Sequence, residues 1–171
     1  MRLKASTRYR KGILRIGQDA WVVVDRLVSS ASHHYRLHWL LMDCPYDWEE
    51  ENLKLNLQTP QGPYKIQFDT GGGVASLVRA DPESPRGWQS PYYYDRIPAL
   101  SLEKTAEASN ATFWTLSGPG FKAIEMTDSG CIIELEQGIT TIQFQNPSPV
   151  NSILVSAVHT GSFEDHITAS S

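Results

Sequence analysis

Three sets of side chains in this sequence are of types and spacings that could do chemistry. The first is His33, His34 and His38, which invite a metal reading. On a strand His34 and His38 face one way and His33 the other, so at most two imidazoles converge. Zinc needs about three or four converging ligands, and Arg26 and Arg36 make the surround electropositive. The residues therefore point away from a metal, and Arg26, His34, Arg36 and His38 are expected to form an anionic contact. Its occupant could be a carboxylate or sulfate on a neighbouring domain or on an acidic sugar.

The second set is Arg86, Trp88, Tyr92, Tyr93, Tyr94, Asp95 and Arg96, inside the segment PESPRGWQSPYYYDRIP. Aromatic planes cover sugar rings and guanidinium groups hold acidic substituents, while prolines limit the entropy lost on ordering. The same aromatics could instead cap one end of a sheet or dock against another domain. The expectation is a carbohydrate or interdomain contact. The third candidate is Asp25, set among Trp21, Val23, Tyr35, Leu37 and Trp39. A carboxylate on an apolar face must be hydrogen-bonded, and Tyr35 or a main-chain donor is the expected partner. No second carboxylate accompanies it, so a structural role is expected over acid or base catalysis.

The elements that must position these residues read as strands. Ala20–Val28 and His33–Met42 are rich in β-branched and aromatic residues. Ser29-Ser30-Ala31-Ser32 between them suggests a hairpin that sets Asp25 opposite Tyr35, Val23 opposite Leu37 and Trp21 opposite Trp39. Leu53, Leu55 and Leu57, then Tyr64, Ile66 and Phe68, alternate with polar residues around the turn Pro60-Gln61-Gly62. Further strands are expected around Leu100 and Leu102, Phe113-Trp114, Phe121–Met126, Cys131–Leu135, Ile142–Phe144 and Ile153–Ala157. No segment has the length and apolar face of a helix. The expectation is an all-β, antiparallel β-sandwich of roughly ten to twelve short strands. Residues 1–12 read as a basic arm, 13–158 as a single sandwich domain and 159–171 as a flexible tail.

Composition narrows the functional classes. The chain has 171 residues, 40% hydrophobic and 20% charged, which excludes a largely disordered polymer. No apolar run approaches the roughly 18 residues of a membrane span. Its net charge of −4 is uneven, because six basic residues precede the first acid, Asp19. No recognition helix, zinc-finger spacing or RNA-reading motif accompanies them, so neither nucleic acid nor membrane is an expected partner. The acidic stretch Asp43–Glu51, with Tyr46 and Trp48, reads as a solvated loop. Asp69-Thr70-Gly71-Gly72-Gly73 lacks the Gly-Lys-Ser/Thr ending of a phosphate loop and reads as a turn or bulge. Cys44 and Cys131 read as reduced and inert. There is no Gly-x-Ser-x-Gly elbow and no His-Glu-x-x-His motif. The residues identify no catalytic group, cofactor or metal site. The N-terminus shows no apolar signal-peptide core.

The stretches Arg8-Tyr9-Arg10, Ala20–Leu27 and His34–Leu41, followed by Arg86–Tyr94 and Ile97–Leu102, resemble the C-terminal β-sheet region of heparinase II/III-like polysaccharide lyases. The resemblance runs in order over roughly residues 8–158. It implies a β-rich fold and a parent reaction of β-elimination on an acidic polysaccharide, in a periplasmic or extracellular parent. Members of the family carry an α/α-toroid and an earlier Ser-His-x-His-x-Asp segment. Neither that segment nor a His-Asn pair occurs here, and no His precedes Arg8. No catalytic or metal residue can be carried over. The resemblance thus implies a noncatalytic accessory or structural sheet that packs against an upstream toroid and β-region. A carbohydrate-binding module for acidic polysaccharide is the alternative.

Overall fold

The computed structural model describes residues 7–17, 20–68, 72–127, 130–135, 138–145 and 154–160. These form twelve strands and no helix, all paired antiparallel. The chain divides into two compact units, residues 1–119 and 120–171. Residues 13–158, expected from the sequence as one domain, span parts of both.

The first unit holds β1 (Thr7–Ile16), β2 (Ala20–Met42), β3 (Tyr46–Glu49), β4 (Lys54–Thr59), β5 (Gly62–Phe68), β6 (Val74–Arg79), β7 (Trp88–Gln89) and β8 (Ile97–Gly118). The sheet order is β1-β2-β8-β5-β4-β3, and β6 and β7 also pair with β8. Thr7–Gly12, expected in a basic arm, are sheet residues paired with Val24–Ser29.

The largest departure from the sequence reading concerns the hairpin. Ala20–Val28 and His33–Met42 do not pair with each other; they are successive parts of one strand, β2, and both pair with β8. Asp25 stands opposite Phe113, and Tyr35 opposite Ala106. Four small residues between two β-rich runs look like a tight turn, yet here they form an irregularity within the strand. The register passes from Val28↔Asn110 to His33↔Ala108, so β2 carries extra residues at Ser29–Ser32. Extra residues on one strand bend it and increase its twist.

The bend is sharp. Trp39 pairs with Leu102, thirteen residues along β8 from Thr115. In a straight strand that separation would be about 43 Å at roughly 3.3 Å per residue. Instead, Trp39 Nε1 donates to Thr115 Oγ1 at 3.2 Å. The pair β2–β8 therefore folds back on itself and makes a two-layered sheet. Between the layers lie Leu55, Leu57, Ile66 and Phe68 from β4–β5, Ala75 from β6, and Leu100 and Leu102 from β8. Leu37, Trp39 and Leu41 of β2 pack against them.

The β4–β5 hairpin follows its period-two pattern, with Leu55↔Ile66 and Leu57↔Tyr64 paired across a turn at Pro60-Gln61. Glu103–Ala108 continue β8. Tyr46–Glu49 are strand and not the expected loop, and Trp48 packs on the core. The glycine segment leads into β6; Asp69, Thr70 and Gly71 lie outside the described residues.

The second unit is a meander of β9 (Phe121–Thr127), β10 (Gly130–Leu135), β11 (Gly138–Gln145) and β12 (Leu154–Thr160), in the order β12-β11-β10-β9. Phe121, Cys131, Ile133 and Ile142 are buried. Of the tail expected at 159–171, His159 and Thr160 are strand residues of β12 paired with Thr140 and Ile139, and the rest lies outside the described residues.

Leu102 is fully buried where the two layers meet. Leu102→Ala should destabilise the first unit by about 3 kcal/mol, the sum of lost transfer energy and an unfilled cavity. Urea denaturation measures this, and a loss below about 1 kcal/mol would show that the layers do not depend on this contact.

Candidate functional site

His34, Arg36 and His38 alternate along β2 after the bend and so share one face of the sheet. Across from them on β8 stand Glu107, Thr105 and Glu103, and Ser76 of β6 opposes Glu103 on its other side. Arg86 enters this face from the loop between β6 and β7. Its Nε lies 3.2 Å from Glu103 Oε1 and donates to Ser101 Oγ at 3.3 Å. Its Nη2 donates to the carbonyls of Ser76 and Ser101 at 3.3 and 3.2 Å. Arg36 Nη1 is 3.7 Å from the same Glu103 oxygen, and His38 Nε2 is 2.9 Å from Ser101 Oγ. His34 and Glu107 meet at 3.7 Å with both side chains exposed.

The loop that delivers Arg86 is fixed by its backbone. Gly87 has φ of 74°, and its carbonyl accepts from Ala80 N at 2.9 Å and from Ala99 N at 2.8 Å. A Cβ at Gly87 would lie 2.4 Å from Ala80 N, so no other residue fits there. Asp81 accepts from Ser84 Oγ at 2.5 Å and Glu83 N at 2.9 Å. These hydrogen bonds hold its carboxyl below the usual aspartate range. Arg79 and Asp43 form a two-pronged pair, each contact 2.6 Å, which ties the end of β6 to the residue after β2. The guanidinium likewise lowers the Asp43 carboxyl.

The chemistry available at this face follows from burial. His38 and Ser101 have the contact of a base and a nucleophile, but Ser101 is fully buried, so no substrate carbonyl can reach its Oγ. Glu103 is also buried and is held by two guanidinium groups. What remains accessible is a rim of the exposed Arg36, His34 and Glu107 side chains.

The aromatic segment divides in two. Trp88 Nε1 donates to the Asp81 carbonyl at 2.6 Å, and the Arg96 guanidinium sits 3.9 Å above the Trp88 ring. Trp88 thus has one face already covered. Tyr92, Tyr93 and Tyr94 are 76%, 81% and 95% exposed. Asp95 N donates to the Tyr92 carbonyl at 3.1 Å, closing a turn in which Tyr94 has φ of 67°. Tyr93 and Tyr94 meet edge to face with centroids 4.7 Å apart.

Arg26 does not join the histidines. It lies before the bend, opposite Thr112 on β8 and Arg10 on β1. Asp25 is buried, and its partner is not Tyr35, whose hydroxyl donates to the Ser109 carbonyl. Tyr9 donates to Asp25 Oδ1 at 2.5 Å, and Lys11 Nζ lies 3.4 Å from the same oxygen. Although the Tyr9 ring is more than half exposed, its hydroxyl is set against Asp25. Desolvation and this hydrogen bond push its pKa up to about 12. Both cysteines are free; burial raises the Cys44 thiol and pushes Cys131 up to about 12. Among the described residues no three His, Cys, Asp or Glu side chains converge as a metal site would require.

Sequence reasoning missed Glu103, Ser101, Tyr9 and Lys11. A lone acid within the strand pattern of Leu100–Thr105 is the one local signal that Glu103 needs a cation. Nothing local says which.

No protein-family model matches the chain, and no curated protein matches it. Solved structures do match its fold. The heparinase III product of the BT4657 gene superposes with a TM-score of 0.61 at 13% identity, covering 91% of this chain and 24% of that one. The heparan sulfate lyase HepC mutant from Pedobacter heparinus gives 0.56 at 16% identity, over 92% of this chain and 24% of the other. The fold is that of a heparinase III segment. The chain spans about a quarter of the length of these proteins.

Two predictions follow from the site. Glu103→Gln leaves the largely buried Arg86 guanidinium without a counter-ion and should cost about 3 kcal/mol, whereas Arg36→Ala, on an exposed partner, should cost under about 1 kcal/mol. Equal losses in urea denaturation would contradict the clamp. The Tyr9–Asp25 bond favours the neutral phenol in the folded state. Its contribution is therefore fully present below pH 10, the ordinary tyrosine value, and is lost as pH rises toward about 12. The difference in melting temperature between wild type and Tyr9→Phe should shrink across that window. A difference that stays constant with pH would refute the assignment.

Proposed function

We propose that this chain is a noncatalytic sheet of a heparinase-type polysaccharide lyase, packing against a toroid and further β-region of a longer protein. The observation that carries this reading is the self-satisfied polar face. Glu103 is clamped by Arg36 and Arg86, and Ser101 is buried beneath His38 and Arg86. β-Elimination beside a uronate needs a free base for the C5 proton and a group to neutralise the carboxylate. Here the acid is spent on holding a loop in place. The match to about a quarter of heparinase III supports the same reading.

A second reading, contact with an acidic polysaccharide, is favoured by the three exposed tyrosines beside Arg96. Tyrosine rings offer apolar area for a sugar face at low entropic cost. Trp88 is the weaker platform, because Arg96 covers it.

The test is incubation of the purified chain with heparin, heparan sulfate and alginate while unsaturated uronate is followed by its ultraviolet absorbance. No rise is expected. Turnover that survives repurification would overturn the noncatalytic reading. Calorimetry with acidic oligosaccharides, compared with a Tyr92→Ala/Tyr94→Ala variant, decides the second reading: heat that disappears in the variant supports it, and no heat at millimolar ligand removes it.

A further inference from the structure

The pairing of β1 with β2 sets two like charges against each other. Arg10 stands directly opposite Arg26, and Arg8, two residues along, stands opposite Val28. On the other side of β2, Thr112 opposes Arg26 and Asn110 opposes Val28. Directly opposite residues of an antiparallel pair share a face, as do residues two apart on one strand. Arg8, Arg10, Arg26, Asn110 and Thr112 therefore share one face, and all are exposed.

Lys11, Arg36, Lys54, Arg79, Arg86 and Lys122 each face a carboxylate. Among the described residues Arg8, Arg10 and Arg26 have no such partner. Like charges directly opposed on a sheet oppose pairing. This chain places three guanidinium groups together with an amide and a hydroxyl beside them and no acid among them.

We infer that Arg8, Arg10 and Arg26 form a binding site for a tetrahedral oxyanion, a sulfate or phosphate group. Adjacent strands lie about 5 Å apart, so one such group can bridge Arg10 and Arg26. Each guanidinium presents a planar fork that matches two oxygens. Asn110 and Thr112 supply further donors at the same end of the face. A bound oxyanion offsets the repulsion between the arginines, so its binding and the stability of β1–β2 are linked. The site shares no residue with the Glu103 clamp that carries the proposed function, so either can fail alone.

Thermal unfolding and calorimetry of the whole chain test it, with sodium sulfate compared against sodium chloride at matched ionic strength. Sulfate should raise the melting temperature above chloride. Arg10→Gln and Arg26→Gln should each raise the melting temperature in low salt, by removing repulsion, and lose the sulfate-specific gain. Arg10→Lys keeps the charge without the fork and should weaken sulfate binding by about tenfold. A sulfated disaccharide and its desulfated counterpart distinguish the sources. Tighter binding of the sulfated sugar than of free sulfate assigns the site to an ester on a larger molecule, and equal binding assigns it to the free anion. Equal stabilisation by sulfate and chloride would overturn the proposal, as would a sulfate gain retained in both glutamine variants.

Discussion

The register shift between β2 and β8 is the constraint on which the first unit depends. Extra residues at Ser29–Ser32 let two strands of 23 and 22 residues bend together, and the bend turns one sheet into two layers. A straight pair of that length would leave Leu37, Trp39, Leu100 and Leu102 facing solvent. Folded back, it sets them against Leu55 and Leu57 of β4 and Ile66 and Phe68 of β5, the strand paired with the far end of the same β8. The hydrogen bond from Trp39 to Thr115 joins the two ends. Burial of this shared core is what offsets the entropy of ordering such long strands.

The polar groups are placed by the same bend. Beyond it, β2 presents His34, Arg36 and His38 on the face away from the core, and β8 brings Ser101 and Glu103 beneath them. The loop before β7 then closes over that face, held by Gly87 and by the Asp81 turn, and Arg86 fills the remaining valence of Glu103. Before the bend, Asp25 is buried in the sheet, and its Oδ1 meets Tyr9 and Lys11 of the edge strand β1. A buried carboxylate without such partners would be costly, so β1 is tied to the sheet by charge as well as by its backbone. Its other basic residues, Arg8 and Arg10, are left on the opposite face beside Arg26.

In the polar face of this heparinase-like fold the buried acid, Glu103, is held by two guanidinium groups. Glu103, Asp25 and Asp43 each hold a loop or strand in place through a cationic partner. Tyr92, Tyr93 and Tyr94, and the arginines that face no carboxylate among the described residues, are exposed. Contact tolerates exposed groups that are already oriented, whereas proton transfer needs one whose hydrogen-bonding capacity is left open.

The sequence by itself determined the secondary structure class and most strand positions. Period-two alternation at Leu53–Leu57, Tyr64–Phe68 and Cys131–Leu135 is a local property of the chain, and it survives in β4, β5 and β10. The alternation of His34, Arg36 and His38 was legible for the same reason. Which strands pair was not, because Ser29–Ser32 have the composition of a turn and serve equally well in a bulge. Only the tertiary structure decided between them: pairing both arms of β2 with β8 buries Leu55 and Leu57 of β4 and Ile66 and Phe68 of β5, which a local hairpin would leave uncovered. That choice separated Arg26 from His34 and gave it to Arg10. It also replaced Tyr35 with Tyr9 as the partner of Asp25 and brought Arg86 to Glu103 from fifteen or more residues away. Ion-pair partners that distant leave no local trace, since any exposed arginine in a strand or loop has the same pattern until the chain folds.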